Sequence, residues 1–186
     1  MAYQPRTLNA EPLNLGKTMS PPQNPKTTPS GQKLSKLAGC LAAEQSTMTL
    51  ATASNDEAWA APVYYVLYKS AFYFLSDPKS RHIQEALRSG QSSAAVHAAA
   101  STWQEIRGLQ MTGAIEPVEG GLEALQALKE YLKKYPFTKE LVGPGAVLDL
   151  KSFRERFGVR LYKFRPSLVY YLDNQIRFAF REAVTL

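Results

Sequence analysis

The sequence predicts a mainly β protein, an antiparallel β-barrel that carries a few short helices. Segments rich in β-branched and aromatic residues recur from residue 47 to residue 180, and such runs are typical of strands. Most of them are joined by short turns, which favours antiparallel neighbours because parallel strands need a long crossover. Closure into a full or partial barrel would bury these strands without leaving unpaired edges. The chain has 186 residues, of which 45% are hydrophobic, and this length suits one compact domain.

The first 32 residues are predicted to be a flexible extension, and residues 33–186 the folded domain. Half of the 12 prolines fall within the first 30 residues, where no sustained apolar period offsets the entropic cost of ordering. The extension lacks the apolar core of a secretory signal peptide. Its single arginine, Arg6, argues against a mitochondrial transit peptide. We therefore expect a cytoplasmic protein.

The folded domain begins with a predicted short helix. Leu34, Leu37 and Leu41 recur at helical spacing up to about Glu44. Cys40 lies beside this stripe, with no neighbour in the sequence that would activate a thiolate. It is therefore expected to be a small core residue.

Three strands are predicted next, as an antiparallel meander. Their ranges are 47–54, 58–68 and 71–76, each rich in β-branched or aromatic residues. Turn-type residues separate the first two strands at 55–57, and Lys69-Ser70 makes a tight connection to the third.

A second helix is predicted to start at Asp77-Pro78, where an N-cap acid precedes a proline, and to end at Gly90. After it, His97 lies in a strand among small alanines and is expected to be an interior or interface histidine. The remaining predicted elements are strands at 92–100 and 103–118, a helix at 121–134, short helical pieces within 138–156, and strands at 158–164, 167–172 and 175–180.

Charge and composition exclude several classes of protein. The formal net charge is +6, and residues 34–186 carry only +3 of it, from 18 basic and 15 acidic side chains. This mild excess argues against a nucleic-acid-binding protein, which needs a concentrated basic face. No apolar run approaches the roughly 18 residues of a membrane span. One cysteine and two histidines are too few for a structural zinc site, and no metal ligands are assigned.

Several motifs of common enzymes are missing from the sequence. Gly143-Pro144-Gly145 does not continue into a dinucleotide fingerprint. The sequence contains neither a phosphate-binding Walker loop nor a nucleophile elbow. A hydrolytic or metal-dependent mechanism therefore has no visible parts.

The start of the second helix is the most informative segment. Lys79, Arg81 and His82 crowd its first turn, where free backbone N–H groups already carry partial positive charge. Each cation there costs the helix about 0.3–1 kcal/mol. A bound phosphate would reverse that cost, because the N–H groups, the Ser80 hydroxyl and the Arg81 fork all donate to it. The alternative is a solvated basic turn.

Two strand segments also carry candidate positions. Pro62, preceded by alanines, suggests an edge or a close approach to a planar group, and the alternative is a strand with a bulge. By strand alternation, Arg107 shares a face with Leu109 and Met111, where a charge needs an anionic partner. The alternative for Arg107 is a salt bridge to a neighbouring strand.

Taken together, these segments resemble the pyridoxamine 5′-phosphate oxidase-like family of FMN-binding split barrels, from about Leu34 to the C-terminus. In that family a strand, a hairpin and a helix start follow in this order, and the helix start reads Ser-Arg-Lys and grips the flavin phosphate. Here the place is taken by Ser80-Arg81-His82, with histidine instead of lysine. This Arg-His pair and the Arg-Gly-Leu-Gln segment 107–110 look more like an uncharacterised bacterial subgroup than like the true oxidase.

The resemblance implies an antiparallel Greek-key split barrel that binds FMN. It also implies a homodimer with the flavin at the interface. The residues that it implies for cofactor binding are Leu75 and Ser76 beside the ribityl chain, Ser80, Arg81 and His82 at the phosphate, Pro62, Val63, Tyr64 and Tyr65 along the ring, and Arg107 and Gln110 in a later strand.

Aromatic content independently favours a dimer. The chain has ten tyrosines, eight phenylalanines and two tryptophans, more than one small barrel interior can hold, and exposed aromatic patches mark interfaces. The candidates for outward positions are Tyr64, Tyr68, Tyr73 and some of Tyr162, Tyr170 and Tyr171. Alternatively, the helices at 121–134 and 138–156 cover these rings and the protein is a monomer.

The expected function is that of an FMN-dependent oxidoreductase acting on a small molecule by hydride exchange at the flavin N5, with no residue assigned as acid or base. A non-catalytic flavin- or haem-binding protein is the first alternative, with His82 and His97 as the available axial histidines. A deazaflavin-dependent reductase on the same fold is the second.

Overall fold

The computed structural model describes residues 28–54, 56–140 and 149–186. Most of the predicted extension, residues 1–27, lies outside these ranges, as do residues 141–148 within the predicted helical pieces. The elements are α1 (Gly31–Glu44), β1 (Thr47–Ser54), β2 (Glu57–Tyr68), β3 (Ala71–Ser76), α2 (Arg81–Ser89), β4 (Ser92–His97), β5 (Arg107–Pro117), α3 (Gly121–Lys134), α4 (Leu150–Phe157), β6 (Arg160–Asp173) and β7 (Arg181–Ala183), with short 3₁₀ turns at Trp103–Glu105 and Pro136–Lys139.

The strands form one antiparallel sheet in the order β3-β2-β1-β4-β5-β6-β7. An additional pairing of β3 with β6 closes the first six of these strands into a barrel, and β7 extends β6 at the side. Since β1 lies between β2 and β4, the connection from β3 crosses to the other side of β1, as in a Greek key. The predicted fold class is therefore confirmed.

Aromatic and aliphatic side chains fill the barrel. Tyr65, Phe72, Phe74 and Phe164 are fully buried and belong to one core cluster. Helix α1 contributes Leu34, Ala38, Leu41 and Ala42 to the same cluster, and α2 contributes Ile83 and Ala86. Both helices therefore pack on the barrel core.

Helix α3 covers a different surface, the outer face of β2, β3 and β6. Its Ala124, Ala127 and Tyr131 pack with Tyr73 and Leu161 in a second cluster. The alternative that helices cover the aromatic rings is thus correct for Tyr73, which is only 1% exposed. Tyr73 therefore lies on the outer face, as predicted, but α3 buries it, so the expectation that it is exposed was wrong.

The other tyrosines divide between the two faces of the barrel wall. Tyr64 and Tyr170 are exposed, as predicted, and Tyr68 is half-buried. Tyr162 and Tyr171 are buried, because strand alternation turns them into the interior beside the ring of Phe74 and the carboxylate of Asp173, respectively.

Three side chains hold the C-terminal end of α1. The hydroxyls of Tyr65 and Tyr135 donate to the carbonyls of Ala42 and Ser46, at 2.6 and 2.7 Å. Lys134 Nζ donates to the carbonyl of Gln45 at 2.6 Å and lies 4.4 Å from the centre of the Tyr65 ring. Burial lowers the pKa of Lys134 to about 8. The bonds to Ala42 and Gln45 satisfy carbonyls that a helix end leaves free.

The start of α2 differs from its prediction. The helix begins at Arg81 with Ser80 as N-cap, not at Asp77-Pro78. Asp77 instead closes a turn before the helix, where its carboxylate accepts from Lys79 N at 2.8 Å and its carbonyl accepts from Ser80 N. Asp before proline favours such a turn. The predicted end is confirmed, because Gly90 is left-handed at φ +70°.

The C-terminal strands also differ from their prediction. The two strands predicted at 158–164 and 167–172 form the single strand β6, which carries a bulge at Ser167, opposite Thr112 and Gly113 of β5. The strand predicted at 175–180 is wrong. That segment is a turn in which Ala179 has φ +55° and Phe180 is buried, and pairing with β6 resumes only in β7.

Cys40 is exposed, so its prediction as a core residue was wrong. The buried side of α1 runs through Ala38, Leu41 and Ala42. A helix turns by about 100° per residue, and Cys40 therefore points to solvent.

Candidate functional site

Three predicted site residues meet at the start of α2. Ser76 Oγ lies 2.8 Å from His82 Nε2, and Ser80 Oγ lies 3.3 Å from each of these atoms. Burial lowers the pKa of His82, against an opposing effect of Glu85. Burial therefore favours the neutral imidazole, whose Nε2 accepts from a serine hydroxyl in one tautomer and donates in the other. We name Ser76, Ser80 and His82 the hydroxyl–imidazole cluster.

Backbone donors surround this cluster. The N–H groups of residues 81–83 open α2, and within the described residues none of them has a hydrogen-bond partner. The first turn contains no acidic side chain. Free N–H groups, two hydroxyls and an imidazole at a helix N-terminus form a donor set suited to an anion.

Among the described residues, the hydrogen bonds of the Arg81 guanidinium go to carboxylates and not to this cluster. Its Nε donates to Glu85 Oε1 at 2.6 Å, and its Nη2 donates to Glu57 Oε2 at 3.0 Å. The guanidinium also lies 4.8 Å from the centre of the Trp59 ring. Thr52 Oγ1 in turn donates to Glu85 Oε2 at 2.6 Å, and the bonds from Thr52 and Arg81 lower the pKa of Glu85.

Sequence reasoning missed the partners of Arg81. The i, i+4 spacing of Arg81 and Glu85 was a usable signal. The contributions of Thr52 and Trp59 depend on the pairing of β1 with β2, in which these two residues are directly opposite, and no local pattern indicates it.

The predicted ring-lining residues alternate between the two faces of β2. Pro62 and Tyr64 are exposed on the outside, Tyr65 is fully buried inside, and Val63 is half-buried against the core. Leu75, predicted beside the ribityl chain, packs on the cluster under α3. Only outer side chains and the backbone of this stretch are therefore available to a ligand on the outer face.

Gln110 shares that outer face with Pro62. The pairings give one continuous row across the sheet, Pro62–Thr49–Ala95–Gln110–Tyr170–Ala183. Two strands separate the two predicted site residues, a distance of about 14 Å at the usual strand spacing.

Arg107 lies on the other side of β5. It is half-buried and directly opposite Asp173 in the strand pairing, whose carboxylate accepts from Tyr171 Oη at 2.8 Å. Among the described residues Arg107 forms no ion pair, so the structure does not bring it to the cluster or to Gln110.

The row belongs to a wider surface that is free of charged side chains except at its β7 edge, where Arg181 is opposite Leu172; we name it the uncharged face. Its members alternate outward along β1, β2, β4, β5, β6 and β7, and strand pairing places them side by side. They are Thr47, Thr49, Ala51, Ala53, Ala58, Ala60, Pro62, Tyr64, Ser93, Ala95, His97, Gly108, Gln110, Thr112, Leu168, Tyr170, Leu172 and Ala183. A cleft of about 360 Å³ lies on this face, and a larger one of about 770 Å³, lined also by Arg165, borders it; the two share Ala51, Ser93 and Thr112.

His97 stands exposed on the uncharged face, so its prediction as an interior residue was wrong, while the interface alternative stays a prediction. Its Nδ1 lies 3.3 Å from the carbonyl of Ala98.

Two features are absent from residues 28–54, 56–140 and 149–186. No group of three His, Cys, Asp or Glu residues there could hold a metal ion. No helix there is long and apolar enough to cross a membrane.

Solved structures with the same fold include proteins of several described kinds. A haem-binding protein from Mycobacterium smegmatis superimposes with a TM-score of 0.61 at 18% identity, over 86% of this chain and 60% of its own; this chain thus spans three fifths of that protein. A FAD-binding protein from Mesorhizobium loti gives 0.55 at 13% identity, over 72% and 90% of the two chains. A putative pyridoxamine 5′-phosphate oxidase from Listeria innocua gives 0.56 at 12% identity, over 75% and 98%. The fold is therefore the split barrel of pyridoxamine 5′-phosphate oxidase-like proteins.

Sequence comparison gives the family. No protein-family model matches the chain. The UPF0306 protein of Klebsiella pneumoniae is 28% identical over 137 residues, which are 73% of this chain and 82% of the relative. The UPF0306 protein YhbP of Salmonella schwarzengrund is 31% identical over 132 residues, 67% of this chain and 89% of the relative. The chain therefore belongs to the UPF0306 family.

Proposed function

We propose that this protein binds FMN and acts as an oxidoreductase on a small-molecule substrate. The observation that carries the proposal is the donor set at the start of α2, where free N–H groups meet the hydroxyl–imidazole cluster with no acid in the first turn. That set fits a phosphate. The FAD-binding and putative oxidase proteins with this fold support a flavin as the phosphate's carrier.

Different residues would contact the phosphate and the ring system of the ligand. The N–H groups of 81–83 and the hydroxyl–imidazole cluster would hold the phosphate, with Arg81 beside them. The backbone of Pro62–Tyr65 and the Gln110 amide would contact the ring system. FMN supplies hydride and electron transfer when bound, while the protein's own part is to bind, orient and exclude water.

A second copy of the chain would complete this site by covering the uncharged face. The face has 18 residues, close to the 20–30 residues per side of a standard interface. It combines small side chains that allow close approach with the exposed rings of Tyr64 and Tyr170. Because it contains Pro62 and Gln110, an interface here would enclose the predicted ring-binding positions, which supports a homodimer with the flavin at its interface.

Binding is tested by titrating purified protein with FMN and with riboflavin, followed by flavin fluorescence. We expect FMN to bind at least tenfold more tightly than riboflavin, and Ser80→Ala to reduce that ratio. Ser89→Ala, at the other end of the same helix, is the matched control and should leave the ratio unchanged. Equal affinity for the two flavins would refute the phosphate site. Turnover of reduced nicotinamide by the FMN-loaded protein would then separate an enzyme from a binder.

A second candidate, haem binding, is favoured by one observation. His97 is exposed on the uncharged face, and with Nδ1 beside a backbone carbonyl its Nε2 is left to serve as a ligand. The haem-binding protein of the same fold is consistent with this. An absorbance spectrum of protein incubated with haemin decides the point: a sharp Soret band that is lost in His97→Ala favours haem, and its absence rejects it.

A further inference from the structure

The tip of the β1–β2 hairpin rests on α2. Inward residues at the ends of the two strands all contact this helix: Thr52 reaches Glu85, Trp59 and Glu57 reach Arg81, and Ser54 reaches Arg88. Arg81, Glu85 and Arg88 follow at i, i+4 and i+7, one face of the helix. The tip of the hairpin thus contacts the helix through polar and charged groups and the Trp59 ring, in addition to the apolar packing of Ile83 and Ala86 on the core.

Within this set, Glu85 fixes the guanidinium of Arg81. Glu85 is only 6% exposed, and both of its carboxylate oxygens are used, one by Thr52 and one by Arg81 Nε. Thr52, itself buried, belongs to the strand and cannot follow a moving side chain. Through Glu85, the rigid strand β1 therefore holds the Arg81 guanidinium in one position.

Glu57 contacts the same guanidinium in a different way. Its side chain is 73% exposed, it lies beside the hairpin turn, and it accepts from Nη2 alone. An exposed pair of this kind is weak. A phosphate that approaches Nη2 would compete with Glu57 but not with Glu85, because Glu85 holds only Nε.

We propose that Glu85, fixed by Thr52, is the positioning residue for a phosphate-binding Arg81, and that Glu57 is an internal competitor of the phosphate. This inference rests on the proposed flavin phosphate site. It assigns opposite effects to two glutamates that contact one arginine, and two residues with a merely structural role would not produce that pattern.

The readout is the ratio of riboflavin to FMN dissociation constants, which isolates the contribution of the phosphate. Arg81→Met keeps the aliphatic stem on Trp59 and should lower the ratio by about 10–100-fold, since it removes a charge-assisted contact. Glu85→Gln and Thr52→Val should lower this ratio by a smaller factor, and Thr52→Ser, which keeps the hydroxyl, should leave it at the wild-type value. Glu57→Gln should raise it by about two- to fivefold.

The variants separate the two hypotheses. If Arg81→Met leaves the ratio unchanged, or wild type binds no FMN, the phosphate assignment fails and the positioning role fails with it. If Arg81→Met lowers the ratio while Thr52→Val and Glu85→Gln do not, the phosphate assignment stands and the positioning role is refuted. A lower or unchanged ratio in Glu57→Gln refutes the competition.

A measurement without flavin guards against misfolded variants. A held Arg81 Nε–H should give a separate, slowly exchanging resonance in the ¹⁵N spectrum of wild type and of Thr52→Ser. We expect this resonance to broaden or disappear in Thr52→Val while the backbone spectrum is retained. An unchanged resonance in Thr52→Val would overturn the relay from Thr52 to Arg81.

Discussion

Ala95→Glu is expected to dissociate the proposed homodimer while leaving the barrel folded. Ala95 is half-buried near the middle of the uncharged face, with Thr49 on one side and Gln110 on the other. Its side chain points outward, so the substitution removes no core contact. In a dimer formed through this face, the new carboxylate would be buried with no cation among its register partners.

The magnitude follows from that environment. A buried charge without a partner costs about 3–5 kcal/mol, and each 1.4 kcal/mol is tenfold in the dissociation constant. One copy would weaken the dimer by roughly 10²- to 4 × 10³-fold, and two-fold symmetry brings in a second copy. A dimer of micromolar affinity or weaker should therefore become a monomer at any practical concentration.

Light scattering over a dilution series measures this effect. Ala43→Glu is the matched control, because it adds the same charge at an exposed position of α1, beside Lys133 and Lys134. We expect a mass of twice 20.7 kDa for wild type and for Ala43→Glu, and a mass near 20.7 kDa for Ala95→Glu. A wild type of 20.7 kDa at micromolar concentration, or an Ala95→Glu variant that stays dimeric, would refute the reasoning.

Three further expectations concern stability. A Cβ on Gly113 would lie 2.2 Å from the carbonyl oxygen of Arg165, so Gly113→Ala should lower the free energy of unfolding in urea by about 1–3 kcal/mol. Gly39→Ala, at a helical position with open space, should instead raise it by up to about 1 kcal/mol. Equal effects of the two substitutions would contradict the close approach of β6 to Gly113. Because the folded state lowers the pKa of His82, the unfolded chain takes up a proton more readily, and the free energy of unfolding should fall as pH drops below about 6.5. Chemical unfolding of His82→Gln over the same pH range should show a smaller fall. An identical pH profile for the two proteins would show that His82 does not contribute. Removal of residues 1–27 should leave the melting temperature nearly unchanged. Removal of residues 1–32 also deletes the Ser30 cap of α1 and should lower the free energy of unfolding by about 0.5–2 kcal/mol. Equal melting temperatures for the two truncations would contradict the role of the cap.

Much of the barrel was predictable because its signals are local. Alternation and turn residues located β1–β3, and helical spacing located α3 at 121–134, as the structure has them. The wrong predictions concern residues whose environment is set by an element far away in the sequence. Tyr73 was expected to be exposed because nothing in its strand indicates that α3 covers it, and the alternating apolar residues of 175–180 form a turn because Phe180 is drawn into the core.

In the candidate site, too, the residues close together in sequence were predictable and those placed by distant contacts were not. Ser76, Ser80 and His82 lie within seven residues, so their meeting at one helix start follows from local structure. The position of Arg81 could not be predicted in the same way. It is determined by Thr52, Glu57 and Trp59, which reach α2 only because the hairpin folds back over the helix.

The contacts that hold the end of α1 have a consequence for the order of folding. The carbonyls of Gln45 and Ser46 each accept a side-chain hydrogen bond from a residue 89 positions further along the chain, whereas the β1–β2 and β2–β3 pairings join neighbouring segments. Contacts of long sequence separation form late, because their loops must close first. During synthesis, α1 therefore leaves the ribosome before the strands of the barrel, can bond to Tyr65 once β2 has emerged, and gains its remaining contacts only after residue 135 has emerged. The first element of the domain to be made is among the last to be fixed.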